Sequence, residues 1–482
     1  MISKKAVLGS IILLAACFTY LRSYDEPKSL FYDELYYVAV AQKYIKHYMQ
    51  FEVHPPLGKL LIALGEVVIH PNKGIEISDD TVKTGRINGD LPPQFTPSGY
   101  RFFPVIFSTL SALIIFLIFC SLSGNSLLAF FFSLMYVFDN ALIVNFRGAL
   151  IDGTLLFFTL LSILYFLHLY NKVSKLGPWN YFLLGCLASL AICTKIVGTI
   201  LFLLFVFLYF KEPKLNFKKM LSRAAFYSLG LFIIFFSVYY IHVALGSRVL
   251  PDNKGSASPE YLTLVSNKGI YNPLNMYVPI RDNMLDMKRS HSNMAKVDMC
   301  NPLEIASHPV GWPLGIKSIN MLRESSTASD AVKYLTIQGN PVNWLIGLLS
   351  VILSICLVVS KTVFKTPIKN KKLYNYILIF TALYVGYMVA IIWSGTQRIL
   401  YMHLYFIPLV FSFVLAFLMF SYLFEKYIVK KDKIILVSLL LFASLILYNY
   451  VYFSPFTYYK ALTYEQCMNR KWFSFWNTYC EK

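Results

Sequence analysis

The chain has 482 residues, of which 57% are apolar and 14% charged, and its formal net charge is +19. Soluble domains contain about 25% charged residues, so the composition excludes an ordinary soluble protein and indicates a multi-span membrane protein. The basic residues form short clusters between apolar runs, a distribution that favours contact with membrane lipid over nucleic-acid binding.

The first apolar segment follows Lys4 and Lys5. It resembles a signal peptide, but no cleavage site of small residues appears before Arg22, so we interpret it as an uncleaved first span. A span requires about 20 apolar residues, and its backbone must be helical in lipid. Eleven segments meet this description, near 6–21, 100–121, 125–143, 150–170, 179–194, 196–210, 223–245, 342–360, 374–393, 399–424 and 433–453. The sequence therefore predicts an all-α polytopic membrane protein with about eleven transmembrane helices.

Charge in the short loops predicts the orientation of these segments. Basic clusters follow the fourth, sixth, eighth and tenth segments, at 172–175, 211–223, 361–372 and 426–433. The opposite short loops offer little beyond Arg147, Lys195 and Arg398. Because positive loops stay in the cytoplasm, we expect a cytoplasmic N-terminus and an outer C-terminus. If that tail is extracytoplasmic, a disulfide between Cys467 and Cys480 is possible.

Two long loops then face outward, at about 22–99 and 246–341. The first contains helix-like stretches, Leu35–Tyr48 and Leu57–Ile69, whose composition is typical of helices at a membrane surface. Histidines in the second loop, His291 and His308, are expected to be solvated. We predict three parts: an N-terminal catalytic module at 1–245, which includes the first loop, a large outer loop at 246–341, and a C-terminal four-helix module with an outer tail at 342–482.

The densest polar cluster lies in the first outer loop, where Asp33-Glu34 precedes a helix-like stretch and His54-Pro55-Pro56-Leu57-Gly58-Lys59 opens the next. Acidic residues are common at helix N-termini, so Asp33 could simply be a cap. Alternatively, one carboxylate at the membrane boundary could act as a general base on a hydroxyl group. The proline pair fixes an extended His54 and a rigid first helical turn.

Asp33-Glu34, followed about twenty residues later by His-Pro-Pro-Leu-Gly-Lys, resembles the first loop of the protein O-mannosyltransferases. That family has the GT-C glycosyltransferase fold and uses dolichyl- or polyprenyl-phosphate mannose. The resemblance continues in order along about 430 residues, through motifs at 99–104, 138–139, 147–152, 194–198, 309–314, 339–344, 401–408 and 454–458. The loop at 246–341 is too short for the MIR insert of the eukaryotic enzymes, so the chain resembles the bacterial-type form.

The resemblance implies that Asp33 is the catalytic base and that Glu34 supports it by orienting the acceptor or a basic neighbour. It also implies that Arg101 and Arg398 hold the donor phosphate. Physical chemistry agrees, because charge beside a span is usually functional or paired, and arginine donates two hydrogen bonds to a phosphate.

Other residues of these motifs are candidates for substrate binding, namely His54, Pro55, Pro56, Lys59, Arg147, Asp152 and Lys195. Arg147 and Asp152 are five residues apart, and we favour an ion pair between them over substrate contact. Lys195 is expected either to snorkel outward or to touch the phosphate. No carboxylate cluster for a nucleotide-sugar's metal is recognisable, so we expect neither a metal nor a cofactor.

The resemblance thus implies an inverting transferase that moves mannose from a polyprenyl phosphate to Ser or Thr hydroxyls of exported proteins. Its partners would be this lipid-linked sugar, the acceptor polypeptide and membrane lipid, and association with a translocon is a further expectation. The membrane would be a bacterial plasma membrane or the endoplasmic reticulum. Transfer to a lipid or glycan is the nearest alternative. A transporter is less favoured, because the polar motifs gather at the outer ends of the spans and no repeat is evident.

Overall fold

A computed structural model describes residues 3–75, 77, 86–87, 91–172, 176–211, 216–250, 256–298, 304–325, 331–476 and 478–481. Most of these residues are helical, as predicted. The main helices, which we number α1 to α18, are Lys4–Ala16, Glu34–Ile45, Leu57–Ile69, Ser98–Ser123, Ser126–Val137, Asn140–Phe146, Asp152–Asn171, Pro178–Ile192, Phe202–Lys211, Phe217–Ala244, Pro259–Ser266, Tyr277–Ser292, Pro341–Thr362, Lys371–Gln397, Phe406–Leu423, Glu425–Val429, Lys433–Thr457 and Tyr464–Met468.

Eight helices in the described part of the chain are long and apolar enough to cross a membrane. A ninth candidate is the pair α5 and α6, which is bent by 62°. Two shorter apolar helical segments, Pro178–Ile192 and Ile196–Lys211, coincide with the fifth and sixth predicted spans. Each of the eleven predicted segments therefore contains an apolar helix or the bent pair, while the number of crossings stays a prediction.

The chain divides into two compact units, each discontinuous in sequence, while the division into parts at 1–245, 246–341 and 342–482 stays a prediction. The first unit comprises Met1–Ser23, Thr109–Asn145 and Lys296–Lys482, and the second comprises Tyr24–Ser108 and Phe146–Ala295. Every predicted site residue except Arg398 belongs to the second unit.

In the first unit, Asp139 organises the bend between α5 and α6. Its carboxylate is fully buried and accepts hydrogen bonds from the Leu142 amide at 3.2 Å, from Asn343 Nδ2 at 3.2 Å and from Trp344 Nε1 at 3.2 Å. These donors satisfy a group that would be costly to bury alone. The motifs at 138–139 and 339–344 therefore meet in space.

The first unit also contains a small antiparallel sheet that we did not predict. Its strands are β1 (Ile319–Ser325), β2 (Ala331–Ile337) and β3 (Ala461–Thr463), with β2 in the centre. The strand β3 comes from the C-terminal tail, where Cys467 and Cys480 form the disulfide that the sequence allowed. Apolar residues of the sheet, the tail and the end of α17 share one core that includes Tyr334, Phe453 and Trp476.

In the second unit, the first outer loop forms two helices, as predicted. The first of them, α2, ends three residues earlier than expected, whereas α3 has the predicted bounds. The helix α3 packs tightly against the beginning of the span α4, because a Cβ atom added at Gly65 would lie 2.3 Å from the Gly99 carbonyl oxygen. The helix α3 therefore lies at the end of a membrane-spanning helix.

Candidate active site

Asp33 occupies the N-cap position of α2, but its side chain makes no capping hydrogen bond. The main chain is helical from this point, since the Tyr37 amide donates to the Asp33 carbonyl at 3.0 Å. One helical turn further on, the Tyr37 hydroxyl donates to the Asp33 carboxylate. Asp33 is partly exposed, whereas Tyr37 is buried. The carboxylate is therefore positioned by a side chain and not used as a cap.

The electrostatic surroundings of Asp33 make it a stronger base than an exposed aspartate. Burial raises its pKa to about 6, and the negative charge of Asp152 acts in the same direction. The charges of Lys195 and Lys59 and the Tyr37 hydrogen bond oppose this rise. A carboxylate with such a pKa is ionised at neutral pH and binds a proton more strongly than usual, as general-base catalysis requires.

Glu34, the adjacent carboxylate, is completely buried and fully engaged. It accepts hydrogen bonds from Arg101 Nε and Nη2, both at 2.7 Å, and from the amides of Phe31 at 3.1 Å and Ala149 at 2.6 Å. Consecutive residues of a helix point about 100° apart, which explains why the two acids have different environments. Glu34 therefore ties α2 to neighbouring segments, and the basic neighbour that we expected it to orient is Arg101.

Arg101 does not occupy a position where it could hold a phosphate, contrary to our expectation. Its side chain is fully buried. Besides Glu34, it donates to the carbonyl oxygens of Tyr24 at 3.3 Å, Pro27 at 2.8 Å and Ser29 at 3.3 Å. The sequence correctly predicted that a charge beside a span is functional or paired, and the partner of Arg101 is the Glu34 carboxylate.

Lys195 forms an ion pair with Asp152, with Nζ 2.9 Å from Oδ1. Its side chain is buried, so the expectation that it snorkels outward is wrong. Both charges act on the pKa of Asp33, which places them close to the candidate base. Arg147 is also buried, and its predicted pairing with Asp152 stays a prediction.

The His-Pro-Pro-Leu-Gly-Lys motif packs against the segments that carry Asp152 and Lys195. The Leu57 amide donates to the Cys193 carbonyl at 2.9 Å. A Cβ atom at Gly58 would lie 2.6 Å from Ile151 Cγ2, so only glycine allows this approach. The motifs at 54–59, 147–152 and 194–198 thus pack against one another.

The remaining residues of the His-Pro-Pro-Leu-Gly-Lys motif are mostly buried. Pro55 and Pro56 are buried at the start of α3, and their contact with substrate stays a prediction. Lys59 is buried as well, forms an ion pair with Glu52, and has its ammonium 5.0 Å from the centre of the Tyr37 ring. Burial lowers the pKa of Lys59 to about 7, while the negative charge of Asp33 opposes this.

His54 is partly buried, and its ring centre lies 5.9 Å from that of His291 on α12. The sequence analysis predicts instead that His291 is a solvated loop residue.

The sequence analysis did not identify Tyr37 and Glu52 as residues of the site. The spacing of four between Asp33 and Tyr37 would have indicated that they share a helix face. Arg398 lies in the other unit, partly buried just after the end of α14.

No group of three or more His, Cys, Asp or Glu side chains that could hold a metal occurs among the residues described. Metal independence stays a prediction of the sequence.

Two family models match the chain. The model described as dolichyl-phosphate-mannose-protein mannosyltransferase matches residues 10–247, and the model of the C-terminal four-transmembrane region of protein O-mannosyltransferase matches residues 283–476. The chain belongs to the protein O-mannosyltransferase family. All predicted site residues except Arg398 lie within the first matched region.

Curated members of the protein O-mannosyltransferase family are similar over part of their length. Dolichyl-phosphate-mannose–protein mannosyltransferase 6 of Saccharomyces cerevisiae is 28% identical over 194 residues, which cover 38% of this chain and 24% of that protein. Protein O-mannosyl-transferase 1 of Danio rerio is 24% identical over 266 residues, which cover 52% of this chain and 36% of the relative. The matches thus span about a quarter to a third of these relatives.

Solved structures confirm the GT-C fold. The S. cerevisiae protein O-mannosyltransferase Pmt1–Pmt2 complex bound to the sugar donor matches with a TM-score of 0.83 at 15% identity, covering 100% of this chain and 94% of that one. The oligosaccharyltransferase of Archaeoglobus fulgidus matches with a TM-score of 0.50 at 11% identity, covering 99% of this chain and 60% of the other.

Proposed function

We propose that the chain is an inverting glycosyltransferase that moves mannose from a polyprenyl- or dolichyl-phosphate donor to Ser or Thr hydroxyls of exported polypeptides. The observation that carries this proposal is the environment of Asp33. This carboxylate is partly exposed, lacks a capping role, has a pKa of about 6 and lies close to the cation of Lys195. Membership of the protein O-mannosyltransferase family supports mannose and a protein acceptor.

In the proposed reaction, Asp33 accepts the proton of the acceptor hydroxyl as its oxygen attacks the anomeric carbon. The bond between that carbon and the phosphate oxygen breaks on the opposite face, so the configuration inverts. The products are the O-mannosylated residue and the polyprenyl phosphate, and the proton stays on Asp33 until solvent removes it.

Negative charge grows on the phosphate as its bond to mannose breaks, and a nearby cation stabilises that charge. Lys195 is our first candidate for this role, because its ammonium already lies close to Asp33. Its ion pair with Asp152 fixes the side chain in place. Arg398 and Arg147 are further candidates, whereas Arg101 serves Glu34.

The protein is a multi-pass integral membrane protein, and we infer that its N-terminus is cytoplasmic and its active site faces outward. The lysine-rich loops support this orientation. The Cys467–Cys480 disulfide fits an oxidising compartment outside the cytoplasm. A bacterial plasma membrane and the endoplasmic reticulum both meet these conditions, and association with a translocon would present the acceptor in an unfolded state.

The test is transfer of labelled mannose from polyprenyl-phosphate mannose to a Ser/Thr-rich peptide by the purified protein. We expect activity in the wild type, loss of at least about a thousandfold in Asp33→Asn, and wild-type activity in Asp286→Asn. Asp286 is a matched control because it is an aspartate on α12 and not a member of the site. Normal transfer by Asp33→Asn would refute the base assignment. Transfer to a lipid but not to the peptide would replace the acceptor class.

A further inference from the structure

The second outer loop presents an exposed leucine on a rigid turn. Residues 269–275, between α11 and α12, contain two short 3₁₀ turns. Asn272 Oδ1 accepts a hydrogen bond from the Leu274 amide at 3.0 Å, and Asn275 Nδ2 donates to the Gly269 carbonyl at 3.0 Å. Leu274 is nevertheless 88% exposed. The segment, which we call the 269–275 turn, therefore holds an apolar side chain outward at a fixed position.

The helix that follows continues this apolar surface. Tyr277, the first residue of α12, is 74% exposed, and Leu285, eight residues later on the same helix face, is exposed as well. The exposed Lys288 lies on that face too, whereas Asn283 on the opposite face is buried. A face that combines aromatic, aliphatic and basic side chains is typical of helices that lie in a membrane interface.

The 269–275 turn packs against the side of the span α10. Tyr240 Oη donates to the Tyr271 carbonyl oxygen at 2.9 Å. Phe236, one helical turn earlier in α10, packs against the apolar core that contains Ile270 and Met276. Because α10 continues to Ala244, these contacts fix the turn beside the last turns of the span and not beyond its end.

The length of α10 indicates the depth of this contact in the membrane. Lys218 and Lys219 are exposed at the beginning of α10, and such charges stay outside the hydrocarbon. A hydrocarbon core of about 30 Å takes about 20 helical residues, so it ends at about residue 239. Phe236 and Tyr240 therefore lie at the second boundary, where acyl chains meet headgroups. The turn that packs on them lies at the same depth.

The lipid-facing surface of α10 leads directly to this contact. The ring centre of Phe232 is 5.7 Å from that of Phe236, and Phe232 is 60% exposed in the interior of the span. An apolar side chain exposed at that depth faces lipid. Phe236 thus joins the lipid-facing surface to the core on which the turn that carries Leu274 lies. Lipid is therefore the partner that best fits the exposed surface of the turn.

We propose that the 269–275 turn and the exposed face of α12 bind the phospholipid leaflet at the C-terminal end of α10. Leu274 lies among the acyl chains, and Tyr277 lies at the boundary with the headgroups. Lys288 extends from the same face toward the lipid phosphates.

This anchor has a consequence for the candidate active site. The helix α12 begins at Tyr277 in the interface, and near its other end His291 has its ring centre 5.9 Å from that of His54. The leaflet therefore fixes the level of the helix that carries His291. The assignment of the anchor does not depend on the proposed transferase reaction.

Tryptophan fluorescence of the full-length protein in nanodiscs tests the proposal. Leu274→Trp and Tyr277→Trp each add one indole, at an exposed position, to the six native tryptophans. Phosphatidylcholine brominated near the carboxyl ends of its acyl chains should quench more than about half of the added fluorescence, since bromine quenches indole on contact. Phe232→Trp is the lipid-exposed reference and should be quenched as well. Glu260→Trp, at a carboxylate of the same outer loop that is 66% exposed, is the control and should show little quenching.

Iodide, a quencher confined to water, supplies the opposite measurement. We expect it to quench Glu260→Trp strongly and Leu274→Trp weakly. Strong iodide quenching and weak bromine quenching at positions 274 and 277 would place the turn in water and overturn the proposal. Protection from both quenchers in discs that hold two protein copies by light scattering would mean that a second copy covers this surface, which would also overturn it. Tyr277→Trp repeats the measurement at a second position, so the result does not depend on the folding of one variant.

Discussion

Arg101 and Glu34 form a bidentate ion pair, with both nitrogen–oxygen distances at 2.7 Å and both side chains fully buried. Arg101 also binds three carbonyl oxygens of the segment between Tyr24 and Ser29. The pair therefore joins the start of the span α4 to the segment that leads into α2. This connection fixes the direction of α2, and with it the position of Asp33.

Removal of either partner alone should be strongly destabilising. Arg101→Leu or Glu34→Leu leaves a buried charge unpaired, so we expect the free energy of unfolding to fall by about 3–5 kcal/mol. The double variant should lose much less than the sum, because no charge is left alone. Thermal unfolding in detergent measures this, with the exposed Arg289→Leu as control. Additive losses would argue against direct pairing.

Transfer activity should depend on the ionisation of Asp33. We expect kcat/KM to rise with pH through about 6 and then to level off, since only the carboxylate accepts a proton. Tyr37→Phe removes a hydrogen bond that favours the ionised form and should therefore move the midpoint to higher pH. Tyr36→Phe, at the exposed neighbouring tyrosine, should leave it unchanged. An unchanged midpoint in Tyr37→Phe would show that its hydroxyl does not tune the base.

The same carboxylate should lower stability at neutral pH. Because its pKa is raised in the folded state, ionisation favours unfolding, and the penalty is absent below about pH 4 and complete above about pH 6. Asp33→Asn should therefore unfold at a higher temperature than the wild type at pH 8, with a gain of about 1–3 kcal/mol, and at a similar temperature at pH 4. A variant that is less stable at pH 8 would contradict the burial argument.

Lys195 should affect donor binding as well as folding, because its removal also leaves the buried Asp152 charge without this ion-pair partner. Lys195→Gln is expected to raise the KM for the lipid-linked donor by about tenfold or more, because a phosphate loses its cation. The Asp152→Asn/Lys195→Gln double variant removes the pair without leaving a lone charge. If Lys195 only neutralised Asp152, the double variant would regain normal donor KM, whereas we expect the KM to stay high.

Gly58 should tolerate no side chain unless its neighbour is made smaller. A Cβ atom there would lie 2.6 Å from Ile151 Cγ2, so Gly58→Ala should cost about 1–3 kcal/mol of stability. Adding Ile151→Ala should recover part of this loss. Gly177→Ala is the control, because its nearest atom beyond the chain neighbours is 4.0 Å away. Equal stability of the two single variants would mean that the approach at Gly58 is loose.

The sequence predicted the spans and the helices α2 and α3 because their signals are local, namely continuous apolar runs for the spans, an acidic pair before α2 and a proline pair before α3. It did not predict how the charges pair, since the partners are distant in sequence. Glu34 lies 67 residues before Arg101, and Asp152 lies 43 residues before Lys195. A charged residue beside an apolar span is expected to have a partner, but its local sequence does not identify that partner. The resemblance already gave Asp33 and Glu34 different roles, but the hydrogen bonds that saturate Glu34 could not be predicted from the sequence.

The sheet was not predicted either, because its paired strands are distant in sequence. The order of these strands along the chain has a consequence for biosynthesis. The strand β3 begins after the span α17, yet it pairs with β2, about 130 residues earlier in the chain. The sheet therefore cannot be completed until the last described span has been synthesised and inserted. During translation, the edge of β2 that later receives β3 stays open, so interruption near residue 457 should leave an outer loop that is prone to pair with other chains.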